Sequence, residues 1–547
     1  MLRSPSALRS ALAPLPGHWG VAPGLRAAIA AVLVLGGSLL VADLSVGGIA
    51  YLGVACAAAF IGTGDHRARV VRVGAQTLGA AAGMVVGALV LDSAPWVIAA
   101  AVVVGVVAGM VGCIGPASTG AAVMAVIGVS YTQFGRLPMP WWEPVVAYAV
   151  GSAVLLGLSL VGPLRHRSRY RLDAVAAVLD AAADLLDHPS DDARHRLALA
   201  SAAARDAVLG YRGNVDGPLD AAWAEARSAA AAAAQAVAAS STAPADPAEW
   251  RARAAAIRAG DLRDAPAGPP RVGRARAALR TATSRDALWM GARIGLCVGV
   301  ATALALALHP PTHAYWIALT VAVVLRPEYG AVLVRAVHRL VGTIVGVVLV
   351  VVLLELTRSP VWLAVAAAAA LGLAGLARPR LYGLAVVGIT GSALFSIAVG
   401  DPAAVEPWAR LLDTVLGCAV AVVAGVLLWP RRGVPDQPRA FARAASALDR
   451  MLCSSGGAAA DSSGGAATDE AYRVAHAWRA QLERDLAEPD PAHAAAAWLP
   501  VALQLETVVD LAAATGDPAA ADLLHGSATT PSDASALLTA VAAQLKS

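Results

Sequence analysis

Charge is scarce in this chain. Asp, Glu, Lys and Arg make up 15% of its 547 residues, where an ordinary soluble domain carries about 25%. Lysine is almost absent, Lys546 being the only one, so the basic residues are nearly all arginine. Aromatic residues stand at 5% with only 4 Phe. The 5 cysteines are odd in number and show no C-x-x-C spacing, which excludes a disulfide framework and a thiolate zinc site. There is no G-x-x-x-x-G-K-[ST] loop and no dinucleotide fingerprint, so ATP hydrolysis has no visible machinery. Too few charges remain to cover a soluble surface. This excludes an ordinary cytosolic enzyme, a disordered chain and a nucleic-acid module.

What is abundant is apolar sequence: 58% of residues are hydrophobic and mean hydropathy is +0.63. A membrane-crossing helix needs about 20 mostly apolar residues. Such runs begin near Leu25, Val46, Val70, Pro95, Ala117 and Glu143, and again near Ala287, Thr312, Ala331, Pro360, Leu381 and Glu406. The expected fold is therefore all-α and polytopic, with about twelve transmembrane helices in two sets of six. The expected segments are a cytoplasmic N-terminus at 1–24, a first transmembrane set at 25–164, and a polar helical domain at 165–286. A second set at 287–430 and a helical tail at 431–547, with a flexible linker at 454–468, complete the chain.

Arginine placement orients the spans, because cytoplasmic connections carry the basic excess. Arg67, Arg69 and Arg72, then Arg165 and Arg167, then Arg335 and Arg339, then Arg431 and Arg432 fall on one side. Asp43, Asp92, Glu355, Asp401 and Glu406 fall on the other, with Arg136, Arg358 and Arg410 as exceptions. Both termini and both polar regions are thus expected in the cytoplasm of a bacterial cell, with the spans in its plasma membrane. The stretch from Arg3 to Leu40 mimics a signal peptide, but further spans follow, so cleavage is not expected.

The two sets repeat one another. Arg72 and Arg335, Gly79 and Gly342, Gly83 and Gly346, Glu143 and Glu406, and Pro144 and Pro407 all stand 263 residues apart. Ala50-Tyr51 matches Ala314-Tyr315, and Arg26 and Arg293 each lie near the start of the first helix of their set. An even number of spans per set makes the repeats parallel, an arrangement typical of transporters with a site at the repeat interface.

One helix face carries the chemistry. Arg335, Arg339, Gly342 and Gly346 are spaced 4, 3, 4, with His338 on the same side; Arg72, Gln76, Gly79 and Gly83 repeat the pattern. The glycines suit close helix packing, and cations at membrane depth normally face protein or a water-filled path. Taken one by one, the arginines also fit the positive-inside rule. His309 and His313 are four apart, but Pro310 and Pro311 break the helix between them, and no metal site is expected. Tyr315 and Trp316 read first as anchors at the lipid interface, with aromatic substrate stacking on Trp316 as the alternative.

These residues carry a resemblance. His313-x-Tyr315-Trp316, Arg326-Pro327, Arg335, and Arg339-x-x-Gly342-Thr343-x-x-Gly346 resemble the fusaric-acid-resistance-like (FUSC) family of integral membrane proteins. The resemblance implies passage of organic anions, aromatic carboxylic acids in particular, and no enzyme activity. It makes Arg335, Arg339, His338, Arg72, Gln76, Arg293 and Trp316 candidates for the anion path. Gly79, Gly83, Gly342 and Gly346 are candidates for packing, and Glu406 and Asp413 for proton coupling. The first set departs from the pattern, with Gln76 for the second arginine and Leu52 where Trp316 falls.

The polar regions show helical periodicity over 171–209, 219–239, 249–259, 469–487, 493–515 and 533–545. The expected function is outward transport of small organic anions, with a passive anion channel and a membrane-embedded regulatory protein as alternatives. No cofactor, metal or nucleic acid is expected. The partners are the bilayer and the anion, and self-association is left open.

Overall fold

The structure, a computed structural model, describes residues 19–546 apart from 42, 63–65, 91–92, 136–138, 162–168, 210–216, 240–245, 263–273, 309–314, 326–331, 429–436, 456–462, 487–492, 516 and 527. Among the described residues all regular structure is helical. The first apolar set comprises α1 (Val21–Val41), α2 (Leu44–Phe60), α3 (His66–Leu89), α4 (Ala94–Gly112), α5 (Pro116–Gly135) and α6 (Trp142–Val161). Polar sequence then forms α7 (Arg169–Asp187), α8 (Asp191–Leu209), α9 (Gly217–Ala239), α10 (Pro247–Ala259) and the short α11 (Arg274–Ala282). The second apolar set comprises α12 (Arg285–Leu308), α13 (Tyr315–Val324), α14 (Val332–Leu356), α15 (Pro360–Ala377), α16 (Tyr382–Gly400) and α17 (Pro407–Val422). The tail forms α18 (Gln437–Ser455), α19 (Ser463–Leu486), α20 (His493–Thr515) and α21 (Pro531–Lys546). His309, His313, Arg326 and Pro327 lie outside the described residues.

Nine helices among the described residues are long and apolar enough to cross a membrane, and three shorter apolar helices accompany them, within the α2, α5 and α13 segments. This is a multi-pass membrane protein. At about 1.5 Å per residue, the 10 residues of α13 reach only about half of a 30 Å hydrocarbon core.

The chain divides into two units, one built from the two apolar sets and one from the two polar segments. In the apolar unit the larger contacts made by one set have counterparts in the other. Helix α3 packs on α5 as α14 packs on α16, α2 on α6 as α13 on α17, and α3 on α6 as α14 on α17. Between the sets, α4 packs on α12 as α15 packs on α1, and α5 on α13 as α16 on α2. Glycine makes the inter-set crossings close. A Cβ on Gly109 would stand 2.6 Å from Gly291 Cα, and one on Gly24 would stand 2.6 Å from Gly372 O.

In the polar unit, α7 to α10 and α18 to α21 each build a hydrophobic core of their own, and α9 packs on α20 to join them. The sequence pattern over 171–209 reads as one helix, but it divides at Pro189, whose ring cannot continue it. Ser190 then caps α8 by accepting from the Ala193 amide at 3.1 Å. Residues 463–468, expected as linker, are the first turn and a half of α19. Arg194 of α8 pairs with Asp510 of α20 at 2.8 Å, and Glu506 accepts from Arg479 at 2.9 Å and contacts His476 at 2.7 Å. Burial works to raise the Glu506 pKa, but the hydrogen bonds and charges of His476 and Arg479 prevail and hold it below the ordinary value. For Asp510 burial prevails over Arg194 and pushes the pKa up to about 6.

Candidate functional site

Helix α14 divides its buried face between two neighbours. Gly342 and Gly346 lie against α16, where a Cβ on Gly342 would stand 2.7 Å from Gly383 O and one on Gly346 would stand 2.9 Å from Thr390 Cβ. Gly79 and Gly83 lie in the same way on the α5 backbone at Ala121 and Ala125. Arg335 and Arg339 are buried, one turn apart, and α17 packs beside them.

Cys418 Sγ of α17 lies 3.8 Å from Ala336 O of α14 and sets the register of the pair. Eight residues earlier on α17 stands Arg410, within electrostatic reach of Arg339, Tyr315 and Asp413. That contact requires the helices to run antiparallel. At about 1.5 Å per residue, Arg410 then stands about 12 Å from the Cys418 level, near the middle of α14.

Arg410 is the residue that sequence reading missed. Among the arginines of the apolar sets it reads as an exception to the loop-charge pattern, yet it is only 2% exposed. Its Cζ sits 3.9 Å over the ring centroid of Trp316. None of its three guanidinium nitrogens makes a hydrogen bond among the described residues. Trp316, 8% exposed, is therefore not the lipid-interface anchor that its sequence context suggests. It is the floor on which Arg410 lies. The only signal in the sequence was Arg410-x-x-Asp413, which puts an acid on the same helix face one turn on; Asp413 is fully buried.

The energetics of this cluster are unbalanced. Burying an ion costs several kcal/mol even after relaxation. A desolvated cation–π contact returns about 2 kcal/mol. Asp413 brings one negative charge to a place where Arg339 and Arg410 bring two positive ones, with Arg335 buried a turn further along α14. The first turns of α13 and α17 add their positive ends beside Trp316 and Arg410. Such an arrangement attracts an anion.

An aromatic cluster adjoins it. Trp316 lies 4.7 Å from Tyr315, centroid to centroid, and Tyr315 lies 5.4 Å edge-on from Tyr131. Tyr131 belongs to α5 and Tyr315 to α13, so the cluster draws on both sets.

The other expected residues stand elsewhere. His338 is half-buried, its ring 6.0 Å from that of Tyr382. Arg72 donates to Ile61 O at 3.4 Å at the end of α2, where Gly62 takes a left-handed φ of 61°. Gln76, 263 residues before Arg339 in the sequence, sits in a neutral network: Tyr148 donates to its Oε1 at 2.5 Å and its Nε2 donates to Ser152 Oγ at 3.2 Å. Arg293 is half-buried on α12 near Cys297. Glu406 is exposed at the start of α17, one turn before Arg410. Among the described residues no group of three His, Cys, Asp or Glu could hold a metal ion.

Comparison with known proteins places this site. Residues 294–424, from α12 to α17, match the model of the family described as fusaric acid resistance protein-like. The chain is 34% identical over 149 residues to the uncharacterized protein YhfK of Escherichia coli (strain K12), covering 26% of this chain and 21% of that one. It is 31% identical over 157 residues to the inner membrane protein YccS of the same organism, covering 29% and 22%. It is 32% identical over 143 residues to the uncharacterized protein ORF2 of Neisseria gonorrhoeae, covering 25% and 33%. The match thus spans between a fifth and a third of these relatives' length. No solved structure matches.

Proposed function

We propose, from the premise that residues 294–424 are a fusaric acid resistance protein-like segment, that this multi-pass membrane protein moves small organic carboxylates out of the cell. It carries them across the plasma membrane without transforming them. The observation that carries the proposal is the burial of Arg335 and Arg339 on α14 and of Arg410 on α17, with Arg339 and Asp413 within electrostatic reach of Arg410. A carboxylate leaving water loses hydration. A guanidinium repays part of that with a planar, permanently charged pair of donors. Arg335 and Arg339 stand where the anion enters from the cytoplasm, and Arg410 stands deeper.

The two sets are read as parallel repeats related by an axis along the membrane normal. The matched helix contacts and the crossings Gly109–Gly291 and Gly24–Gly372 support this reading. Substrate sites of such transporters lie at the repeat interface. The path is asymmetric, because the Gln76 network occupies in the first set the place that Arg339 holds in the second. Asp413, buried beside Arg410, is the better candidate for proton coupling; Glu406 is exposed.

The test is efflux of a labelled carboxylate from cells carrying Arg335→Gln with Arg339→Gln. Each charged hydrogen bond lost costs about 1.5–3 kcal/mol, so efflux should fall by an order of magnitude or more at unchanged abundance. Unchanged efflux returns these arginines to topological markers. Accumulation against a gradient separates a transporter from a passive channel.

A further inference from the structure

We infer that α11 lies along the membrane surface where α12 begins and binds the head groups of anionic phospholipids there. The inference goes beyond the transport reading and does not depend on what crosses the membrane.

Helix α11 comes from polar sequence, yet it belongs with the apolar unit. It packs on α12, which follows it, and on α4. The second contact fixes its direction. Helices α4 and α12 cross at Gly109–Gly291 and at Gly105–Gly295, so they run antiparallel, and Gly112 at the end of α4 stands level with Leu288. A straight continuation of α12 would carry Ala282 about 9 Å past that level, out of reach of α4. The chain bends instead. Thr283 Oγ1 donates to Leu279 O at 2.8 Å and closes α11. Ser284 Oγ accepts from the Ala287 amide at 3.2 Å and opens α12. Helix α11 is thereby turned across the end of α4.

That end lies at the edge of the bilayer. Helix α12 is long and apolar enough to cross a membrane. Its 24 residues reach about 36 Å against about 30 Å of hydrocarbon, so its first turn lies among head groups. Trp289, exposed one turn in, is of the residue type that anchors at that depth.

The residues of α11 suit that place. Ala275, Ala278, Leu279 and Ala282 are spaced 3, 1, 3 and so share one face of the helix. Protein covers only part of it: Ala282 is buried, while Leu279 is 64% exposed. Leu288 and Trp289 at the start of α12 are exposed as well, so open apolar surface stands on both sides of the corner. By register, positions 276 and 280 flank the apolar face on one side and position 274 on the other. All three are arginine, and Arg280 and Arg285 are exposed. From 274 to 286 four arginines stand against one acid, Asp286. An exposed leucine alone needs no explanation, and arginines alone obey the positive-inside rule. Together, on a helix turned across the end of a span, they make the pattern of a helix that lies in a lipid interface. Basic clusters next to a span attract anionic head groups. Leu279 selects among anions: dissolved phosphate meets the arginines only, whereas a phospholipid meets both.

The experiment follows amide hydrogen exchange of the full chain in nanodiscs of phosphatidylcholine alone and of phosphatidylcholine with about one-third phosphatidylglycerol. The amides of 278–284 should exchange more slowly in the anionic discs, by roughly tenfold or more, since each arginine near an anionic surface is worth roughly fivefold. The difference should shrink as salt rises from about 0.05 M to about 0.5 M. Arg280→Gln with Arg285→Gln should remove most of it, and lysine at both positions should keep it. Leu279→Ser should lower protection in both kinds of disc. Should the double variant fail to insert, Arg280→Gln alone and the salt dependence of the wild type carry the test.

Equal exchange in the two kinds of disc, a difference insensitive to salt, or one that survives the glutamine substitutions overturns the inference. So does protection that inorganic phosphate reproduces in phosphatidylcholine discs, because α11 is then a site for dissolved anions.

Discussion

Gly109 and Gly291 press backbone to backbone, so that a Cβ on the first would stand 2.6 Å from the Cα of the second. The pair joins α4 to α12 and so one apolar set to the other. Gly24 and Gly372 do the same for α1 and α15. Gly36 in α1, by contrast, has nothing within 4 Å of its Cβ position.

Gly109→Ala should therefore destabilise the apolar unit by about 1–3 kcal/mol, the usual range for overpacking. Gly36→Ala should leave stability unchanged or raise it by up to about 1 kcal/mol through helix propensity. Thermal unfolding of the purified protein in detergent gives both values, and equal melting of the two variants would contradict the close crossing.

Tyr148→Phe removes the donor to Gln76 Oε1 without changing the shape of the ring. A buried acceptor left unsatisfied costs about 1–3 kcal/mol. The same unfolding assay should show that loss, and Gln76→Leu added to Tyr148→Phe should recover part of it, since the two residues then have no polar atoms to satisfy between them.

In the polar unit the pH dependence has a definite sign. The folded-state pKa of Asp510, about 6, lies above its ordinary value of 3.8 because burial outweighs Arg194. Such a group contributes stability that is complete below the ordinary value and is lost as pH rises through about 6. The effect is worth up to about 3 kcal/mol. Hydrogen exchange along α20 in the full chain, compared between wild type and Asp510→Asn, should show the wild type losing protection relative to the variant from about pH 4 to pH 7. Glu506, held low by His476 and Arg479, has the opposite sign, and its contribution disappears in acid.

The orientation has a built-in probe. Cys453 is exposed on α18, so a membrane-impermeant maleimide should miss it in intact cells and reach it after permeabilisation. Ser241→Cys in a Cys453→Ser background should behave in the same way. Labelling of either in intact cells would reverse the topology.

Much of the helical layout was legible because apolar run length is a local property. The face of α14 was legible too, because 4-3-4 spacing needs no partner. Arg410 and Trp316 were not. Trp316 reads as an interface anchor and Arg410 as a lone exception to the arginine pattern, and only the packing of α13 on α17 turns two helix-end residues into one buried contact. The polar unit was hidden for a related reason. Arg194 and Asp510 are 316 residues apart, and no local pattern in either segment announces the other.

That pairing imposes an order on biosynthesis. Helices α7 to α10 leave the ribosome before the second apolar set and cannot finish their unit until α18 to α21 have followed it. Their own core, with Trp223 in it, forms first, while Arg194 waits in the meantime for Asp510. Completion of the polar unit thus reports that the second apolar set has been threaded with an even number of crossings. A chain that inserts one helix too few delivers its tail to the opposite side of the membrane, leaves Arg194 without Asp510 and α9 without α20, and presents itself to proteolytic quality control.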